Sequence, residues 1–476
     1  MKPIKAIFFM FCGLMTITAT AQNQLVVYPS PEGAPLNNDF TVKVRQSGGE
    51  WQPVATYNVK VDQVVGAKHH TENASYAYFD FQGEVEVQVT SNKGIIGSQR
   101  VRPLSYGIAS TAQGNTMTFK LDRPRNLSVE VNGDIFHNLH LFANPIDANV
   151  PKTKKAKNLI YFGPGIHHLP KDGLLVPSGK TVYVSGGAIV RGTIRVKDAE
   201  DVKVFGRGYV GPEGRGYGVS IENSKNVQVE GVIVTQCPTG ASDGVTIRNV
   251  KSISWYGWGD GMNVFASQNV LLDGVFCRNS DDCTTIYATR MGHTGSSRNI
   301  TVQNSTLWAD VAHPIFIGIH GNVERPDTIE NALYKNIDIL DHNEMQLDYQ
   351  GCMSINSGDD NLIRNIRFED IRVEDFRRGQ LVNLRVFYNK KYCKAPGRNI
   401  EDITFKNINY NGTHAEVSII EGYNEDRMVK NIKFENLRIN GKLITDDMPD
   451  KPKWYRTGDM GRIYTGVHVD NVQFLK

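Results

Sequence analysis

A short unit, apolar-x-apolar-polar-(Asn, Gly or Asp)-apolar, recurs through the latter two-thirds of this chain and narrows what it can fold into. It reads Val202-Lys203-Val204-Phe205-Gly206, then Val227-Gln228-Val229-Glu230-Gly231-Val232, Val245-Thr246-Ile247-Arg248-Asn249-Val250 and Val270-Leu271-Leu272-Asp273-Gly274-Val275. Later copies begin at Ile300, Ile366, Ile403 and Ile432. Most successive copies lie roughly 18 to 37 residues apart, the range of solenoid repeats. Two inward apolar residues make a short strand. The Asn or Gly then takes the left-handed conformation that turns the chain sharply. A second apolar pair starts the next strand. No stretch keeps a 3.6-residue period beyond a couple of turns, so a helical reading fails. The expected fold is all-β: a right-handed parallel β-helix (a pectin-lyase-like solenoid) with a continuous aliphatic core.

The preceding residues follow a different pattern. Glu84-Val85-Glu86-Val87-Gln88-Val89 alternates strictly, as do Met117, Phe119 and Leu121, and Leu127, Val129 and Val131 before the turn pair Asn132-Gly133. Short strands broken by Gly, Asn and Pro predict a small β-sandwich. The polar stretch Pro151-Lys152-Thr153-Lys154-Lys155 suits a linker. The first residues read as a secretory signal, with Lys2 and Lys5, an apolar run from Ile7 to Met15, and Ala19-Thr20-Ala21 before the cut. The expected division is therefore a signal peptide over residues 1–21, a sandwich over 22–150 and a β-helix over 158–476. Export to the periplasm or the outside, as a soluble monomer, follows from this reading. Cys12 lacks the small residues that a lipid anchor calls for. No later run approaches the roughly 18 apolar residues of a membrane span.

Composition removes further classes. Basic residues number 53 and acidic residues 50, interspersed, which leaves no basic face for nucleic acid. Of six cysteines, five remain beyond the signal, and an odd count leaves at least one thiol unpaired. Cys277 and Cys283 either pair across a bend or lie as small side chains in the core. No Cys/His spacing suggests zinc, and no cofactor or metal is expected. Gly206-x-Gly208-x-x-Gly211 has dinucleotide-binding spacing, but no amphipathic helix follows to hold a pyrophosphate.

The chemistry gathers at three aspartates. Asp260, in Trp258-Gly259-Asp260-Gly261-Met262, precedes Asp281-Asp282, in Asn279-Ser280-Asp281-Asp282-Cys283, by about one coil. Crowded carboxylates raise one another's pKa, so some stay protonated while others ionise. Acid–base hydrolysis of a glycosidic bond needs such a set. The pairs Asp359-Asp360 and Asp446-Asp447 have no such partner and read as solvated turns. Trp255, Trp258 and Tyr287 offer faces for sugar rings. On the next coil His313, in Ala312-His313-Pro314-Ile315, projects beside the pair, where a hydrogen bond would orient a carboxylate. His320 is a weaker candidate for substrate binding. The Tyr- and Asn-rich stretches 341–360 and 388–399 are candidates for groove walls.

The repeat, the Gly-Asp-Gly segment, Asp281-Asp282-Cys283 one coil later and His313 on the next resemble the β-helical glycoside hydrolases. These are the polygalacturonases of family 28 and the related dextranases and isopullulanases of family 49. The resemblance covers most of residues 158–476. It implies an inverting mechanism, with Asp281 as general acid, Asp260 and Asp282 activating water, and His313 matching the histidine of the Gly-His-Gly motif, here flanked by Ala312 and Pro314. One departure concerns substrate. Polygalacturonases carry an Arg-Ile-Lys segment for the substrate carboxylate, whereas Gly351-Cys352-Met353-Ser354-Ile355-Asn356 has no base. Arg385 or Arg378 would have to substitute. That departure, and an amino-terminal β-domain like that of the dextranases, favour a neutral or differently charged polysaccharide. Two other classes stand beside this one: a β-helical polysaccharide lyase, with calcium held by the aspartates, and a non-catalytic glycan-binding surface protein.

Overall fold

The computed structural model describes residues 23–476 apart from residue 67, so the signal expected over residues 1–21 lies outside the described residues. Among these residues strands dominate, and the single α-helix is the four-residue Thr457–Met460. None of their helices is long and apolar enough to cross a membrane.

From Leu159 the chain winds into a parallel β-helix with three faces. The first stacks Leu159–Phe162, Thr181–Val184, Lys203–Gly206, Lys225–Glu230, Asp243–Arg248 and Gln268–Asp273. The second stacks Gly165–His168, Ala188–Arg191, Tyr209–Gly211, Ile233–Val234, Lys251–Ile253 and Phe276–Asn279. From Ser297–Ala309 to Asn399–Asn411 one long strand per coil runs across both faces. The third face is a ladder of eleven strands from Leu174–Leu175 to Ile463–Thr465.

The corner residue does what the repeat predicts, for Asn249, Asn304, Asn407 and Asn436 have φ of 51°, 54°, 55° and 54°, and a second column of residues, one place before the repeat, turns the same way. Asn269, Asn299, Asn331 and Asn365 have φ of 55°, 57°, 57° and 52°. Their carboxamides also bond coil to coil, at 3.1, 3.2 and 2.7 Å. A carboxamide is donor and acceptor at once, so each rung satisfies the next. Inside, aliphatic side chains from every coil form one core. Towards the carboxy terminus the core gains an aromatic column, Tyr334, Phe368, Phe405, Phe434 and Phe474, with successive ring centroids 5.5, 4.8, 4.8 and 4.9 Å apart. All five described cysteines are buried and unpaired, so Cys277 and Cys283 form no disulfide.

Residues 24–145 form a six-stranded and a five-stranded sheet around a shared core, to which Val85, Val87 and Val89 contribute their alternate positions. The larger sheet turns its other side to the second face of the β-helix. There Tyr57, Tyr76, Tyr78 and Phe142 pack on Ile189, Ile233, Ile253 and Phe276. Charged groups are sealed in the same contact. Arg207 Nε donates to Asp80 at 2.9 Å, and Arg278 reaches Asn138 at 2.7 Å while it pairs with Asp310 at 2.9 Å. The spacing Gly206-x-Gly208-x-x-Gly211 falls on two strands of this contact, with no helix beyond. The other aspartate pairs are more than solvated turns. Asp359 is buried and accepts the Lys394 N–H at 2.6 Å, Asp360 pairs with Arg427 at 2.7 Å, and Asp446 accepts the Phe474 N–H at 2.9 Å.

Arg207 and Asp80 are both almost wholly buried, so removing one partner leaves the other charge without compensation. Arg207→Ala is expected to lower the unfolding free energy by about 3–5 kcal/mol in urea titration.

Candidate active site

Three successive third-face strands meet in register: Met262 pairs with Thr284, and Thr284 with Ile315. Two residues back along each strand stand Asp260, Asp282 and His313. They therefore form a column with one strand spacing, about 4.8 Å, between neighbours. The register thus puts Asp282 above Asp260, with Asp281 one step to the side. The two glycines around Asp260 are explained by this stacking. A Cβ on Gly261 would fall 2.3 Å from the Cys283 carbonyl oxygen, while the Gly261 N–H donates to the Asp282 carbonyl at 2.8 Å. Any side chain there would push the two coils apart. Asn279 ties the same coils laterally, donating to Ser252 Oγ at 3.1 Å and Ser254 Oγ at 2.9 Å.

Asp282 is buried and held from two sides. Its Oδ1 accepts from the His313 backbone N–H at 3.2 Å and faces His313 Nδ1 at 2.6 Å, and its Oδ2 accepts from the Tyr287 hydroxyl at 3.0 Å. His313 Nε2 faces the Tyr349 carbonyl oxygen. Both ring nitrogens thus face acceptors, and the doubly protonated imidazolium satisfies both. Burial alone would lower the His313 pKa, but the Asp282 carboxylate outweighs it and the net direction is upward. Asp260, half-buried, accepts from Asn263 Nδ2. Burial, then repulsion from Asp282, lifts it to about 7. Asp281 is half-buried and raised well above the ordinary carboxylate range, by burial first and then by Asp260 and Asp282. No Lys, Arg or His side chain pairs with Asp281 among the described residues. The three carboxyls thus differ: Asp282 is clamped beside a cation, Asp260 is lifted to about 7, and Asp281 is pushed well above the ordinary range with no cation partner.

Asp281 lies where two cavities meet. One, of about 470 Å3, contains all three aspartates with Asn263, Tyr287, Arg290 and His320. The other, of about 600 Å3, lies beyond Asp281 and is lined by Lys68, His69, Tyr256, Glu344 and Lys391. Arg215, Trp258, Asp281, Tyr349 and Tyr392 border both, so the two are halves of one groove along the stack. Trp258 is 78% exposed and sits under the Arg215 guanidinium at 5.2 Å. Its loop is wound tightly: Tyr256, Gly257 and Trp258 all have positive φ, at 66°, 60° and 46°.

Most of the residues singled out by sequence reach this groove. Asp260, Asp281, Asp282, Trp258, Tyr287 and His320 line it directly, and His313 holds Asp282 from behind. Burial, and secondarily Arg290, pushes His320 down to about 3, which keeps it neutral. Trp255 is a correction: it lies in a separate cavity against the amino-terminal sheet, under Lys60 Nζ at 5.3 Å. Adjacent residues at the corner turn to opposite sides, so its neighbour Tyr256 enters the groove and Trp255 does not. Arg385 is a second correction. Its guanidinium pairs with Asp348 at 2.8 Å and Glu421 at 3.1 Å, away from both cavities. Arg378 likewise pairs with Glu416 at 3.4 Å. The stretches 341–360 and 388–399 do wall the groove, through Glu344, Gln346, Tyr349, Lys391 and Tyr392. Sequence reading missed the groove cations Lys68, Arg215, Arg290 and Lys391, none of which pairs with a carboxylate among the described residues. Arg290 had a local signal, for it precedes the turn Met291-Gly292 with φ of 51° and 85°.

A carboxyl group lifted in the folded state stabilises the fold only while the solution is acidic. Between the unfolded value of 3.8 and about 7, the folded chain holds a proton that the unfolded chain releases, and stability falls as pH rises. Asp260→Asn removes this loss. The melting temperature of the variant is expected to gain steadily on the wild type from about pH 4 to about pH 7, measured by calorimetry across that range.

Comparison with known proteins agrees with the fold. Residues 212–450 match Glycosyl hydrolases family 28. A probable endopolygalacturonase D of Neosartorya fischeri is 23% identical over 224 residues, 46% of this chain and 43% of that protein, so the chain spans less than half of that relative's length. Among solved structures, Dex49A from Penicillium minioluteum superposes with a TM-score of 0.57 at 12% identity, over 94% of this chain and 96% of that one. A family 28 exopolygalacturonase of Yersinia enterocolitica gives 0.47 at 11% identity, over 81% of this chain and 96% of that one. The match takes in the strands that carry all three aspartates and His313, and the chain, built on a parallel β-helix, belongs to glycosyl hydrolases family 28.

Proposed function

We propose that this chain is an exported, inverting hydrolase of an acidic polysaccharide, in which Asp281 is the general acid and Asp260 and Asp282 activate water. The observation that carries this reading is the column of aspartates opening on one groove, with Asp281 protonated by burial and by its neighbours' charge. As the glycosidic bond breaks, Asp281 donates its proton to the departing oxygen. A water held between Asp260 and Asp282 attacks the anomeric carbon from the other side. Asp260, with a pKa of about 7, takes its proton. His313 fixes the orientation of Asp282, and Tyr287 holds its second oxygen. Inversion needs room for that water, roughly 6.5–9.5 Å between acid and base. Asp260, a coil away from Asp281 and one step across, suits that separation better than Asp282, its chain neighbour. The amino-terminal sandwich over 22–150 and the β-helix over 158–476 act together in one monomer, which supplies both walls of the groove.

The substrate reading departs from the sequence expectation of a neutral glycan. The missing base at Ser354 and Asn356 is offset by cations from other coils. Arg290 and Arg215 border the three-aspartate cavity, and Lys68 and Lys391 stand beyond Asp281. Unpaired cations around a carbohydrate groove favour a sugar carboxylate. The relative named as an endopolygalacturonase points the same way.

Asp281→Asn is expected to lower kcat by about 10³-fold while leaving the melting temperature unchanged or higher at neutral pH. Activity within tenfold of wild type would remove Asp281 from its role. Reducing-end release should be greater on homogalacturonan or rhamnogalacturonan than on dextran or pullulan, and proton NMR of the first product should show the inverted anomer. A preference for dextran or pullulan would restore the neutral-glycan reading.

A further inference from the structure

Lys68 and His69 belong to the amino-terminal sheets, yet both line the groove. They sit at the tip of the hairpin formed by Tyr57–Val65 and Lys68–Gln82, where Val65 faces Lys68 and Val64 faces His69. The second strand of this hairpin is exposed from Lys68 to Thr71, while the first turns Val61 and Asp62 inward. The tip nonetheless touches the β-helix at the loop just before Asp260. The His69 ring lies against Gly257, where even a Cβ would come within 3.3 Å of its atoms, and its centroid is 6.2 Å from that of Tyr256. His69 is itself held, for its Nδ1 bonds to the wholly buried Asp62 at 2.5 Å. The buried carboxylate fixes one ring nitrogen and Gly257 lies against the opposite edge, so the ring is clamped, 37% exposed, at the border of the cavity. Lys68 has no carboxylate partner among the described residues.

The chemistry decides which part of the substrate would meet this tip. In single displacement the acid stands on the leaving-group side and the water-activating groups on the far side of the attacked ring. The attacked sugar therefore occupies the cavity that contains all three aspartates. The departing chain passes Asp281 into the second cavity, where Asp281 is the only one of the three. That second cavity is the one lined by Lys68 and His69. We propose that the amino-terminal hairpin forms part of the substrate groove, with Lys68 and His69 binding the leaving-group sugar and Asp62 positioning His69. This rests on the assignment of Asp281 as the acid. The amino-terminal sheets are then part of the enzyme's specificity.

The test uses the full chain and reducing-end-labelled oligosaccharides of whichever of the four polysaccharides the wild type cleaves. Lys68→Ala and His69→Ala are each expected to raise KM about tenfold, the loss of one charge-assisted contact. Both should shift the cleaved bond towards the reducing end, because fewer sugars are held beyond Asp281. Lys68→Arg should restore the wild-type cleavage position, and Asp62→Asn should reproduce part of the His69→Ala shift. Lys68 is at the exposed tip, so its variants fold, and the melting temperature of His69→Ala is measured alongside because that change leaves buried Asp62 without its partner. KM within twofold of wild type and an unchanged cleavage position in both alanine variants would overturn the hairpin's role while leaving the hydrolase reading intact. A wild type inactive on all four polysaccharides would overturn the hydrolase reading and this inference with it.

Discussion

Register between coils is the constraint on which the rest of this molecule depends. Each coil is pinned to the next by parallel backbone bonds and, at the corners, by asparagines that turn the chain and bond to their copies above and below. A corner that slipped by one residue would reverse the inward and outward positions of the following strand. It would also move one aspartate of the column to the wrong side. Asp260 and Asp282 are 22 residues apart along the chain, yet their spacing is set by a repeat of about 4.8 Å. The glycines beside Asp260 serve the same end by letting that coil lie flush against the next.

Given that register, electrostatics follows from crowding and burial. Three carboxyl groups in one half-closed groove cannot all ionise at moderate cost. The structure resolves the conflict unevenly. Asp282 receives an imidazolium and a phenol, Asp260 a carboxamide, and Asp281 no cation. The difference in partners adds to burial, the larger cause at Asp260 and Asp281, in setting the three carboxyls apart. His313 contributes indirectly: by binding one carboxylate it leaves the burden of the shared proton to the others.

Much of the fold was legible because it repeats. The Asn and Gly corners, the paired inward Val and Ile, and the period-two strands before residue 145 each encode a local backbone state. Asp260, Asp282 and His313 were legible because they sit at equivalent places before successive third-face strands, and Asp281 because it adjoins Asp282. The groove walls were not. Trp255 and Tyr256 are neighbours in an irregular loop, and only the three consecutive left-handed residues after Trp255 decide which of them faces the groove. Arg385 lies on a regular strand, but its charge is spent on Asp348 and Glu421, from one coil to either side. Lys68 and His69 reach the groove only because one sheet lies across another face of the solenoid, and nothing local to them announces that contact.

The five described thiols have a consequence for how such a chain matures. All are interior and none is bonded. Its stability is drawn from stacked coils and the sealed contact between sheets, so no oxidation step is needed to complete it. Over its described residues such a chain is indifferent to the redox poise of its surroundings, and an alkylating reagent would find these sulfurs only after the coils had opened.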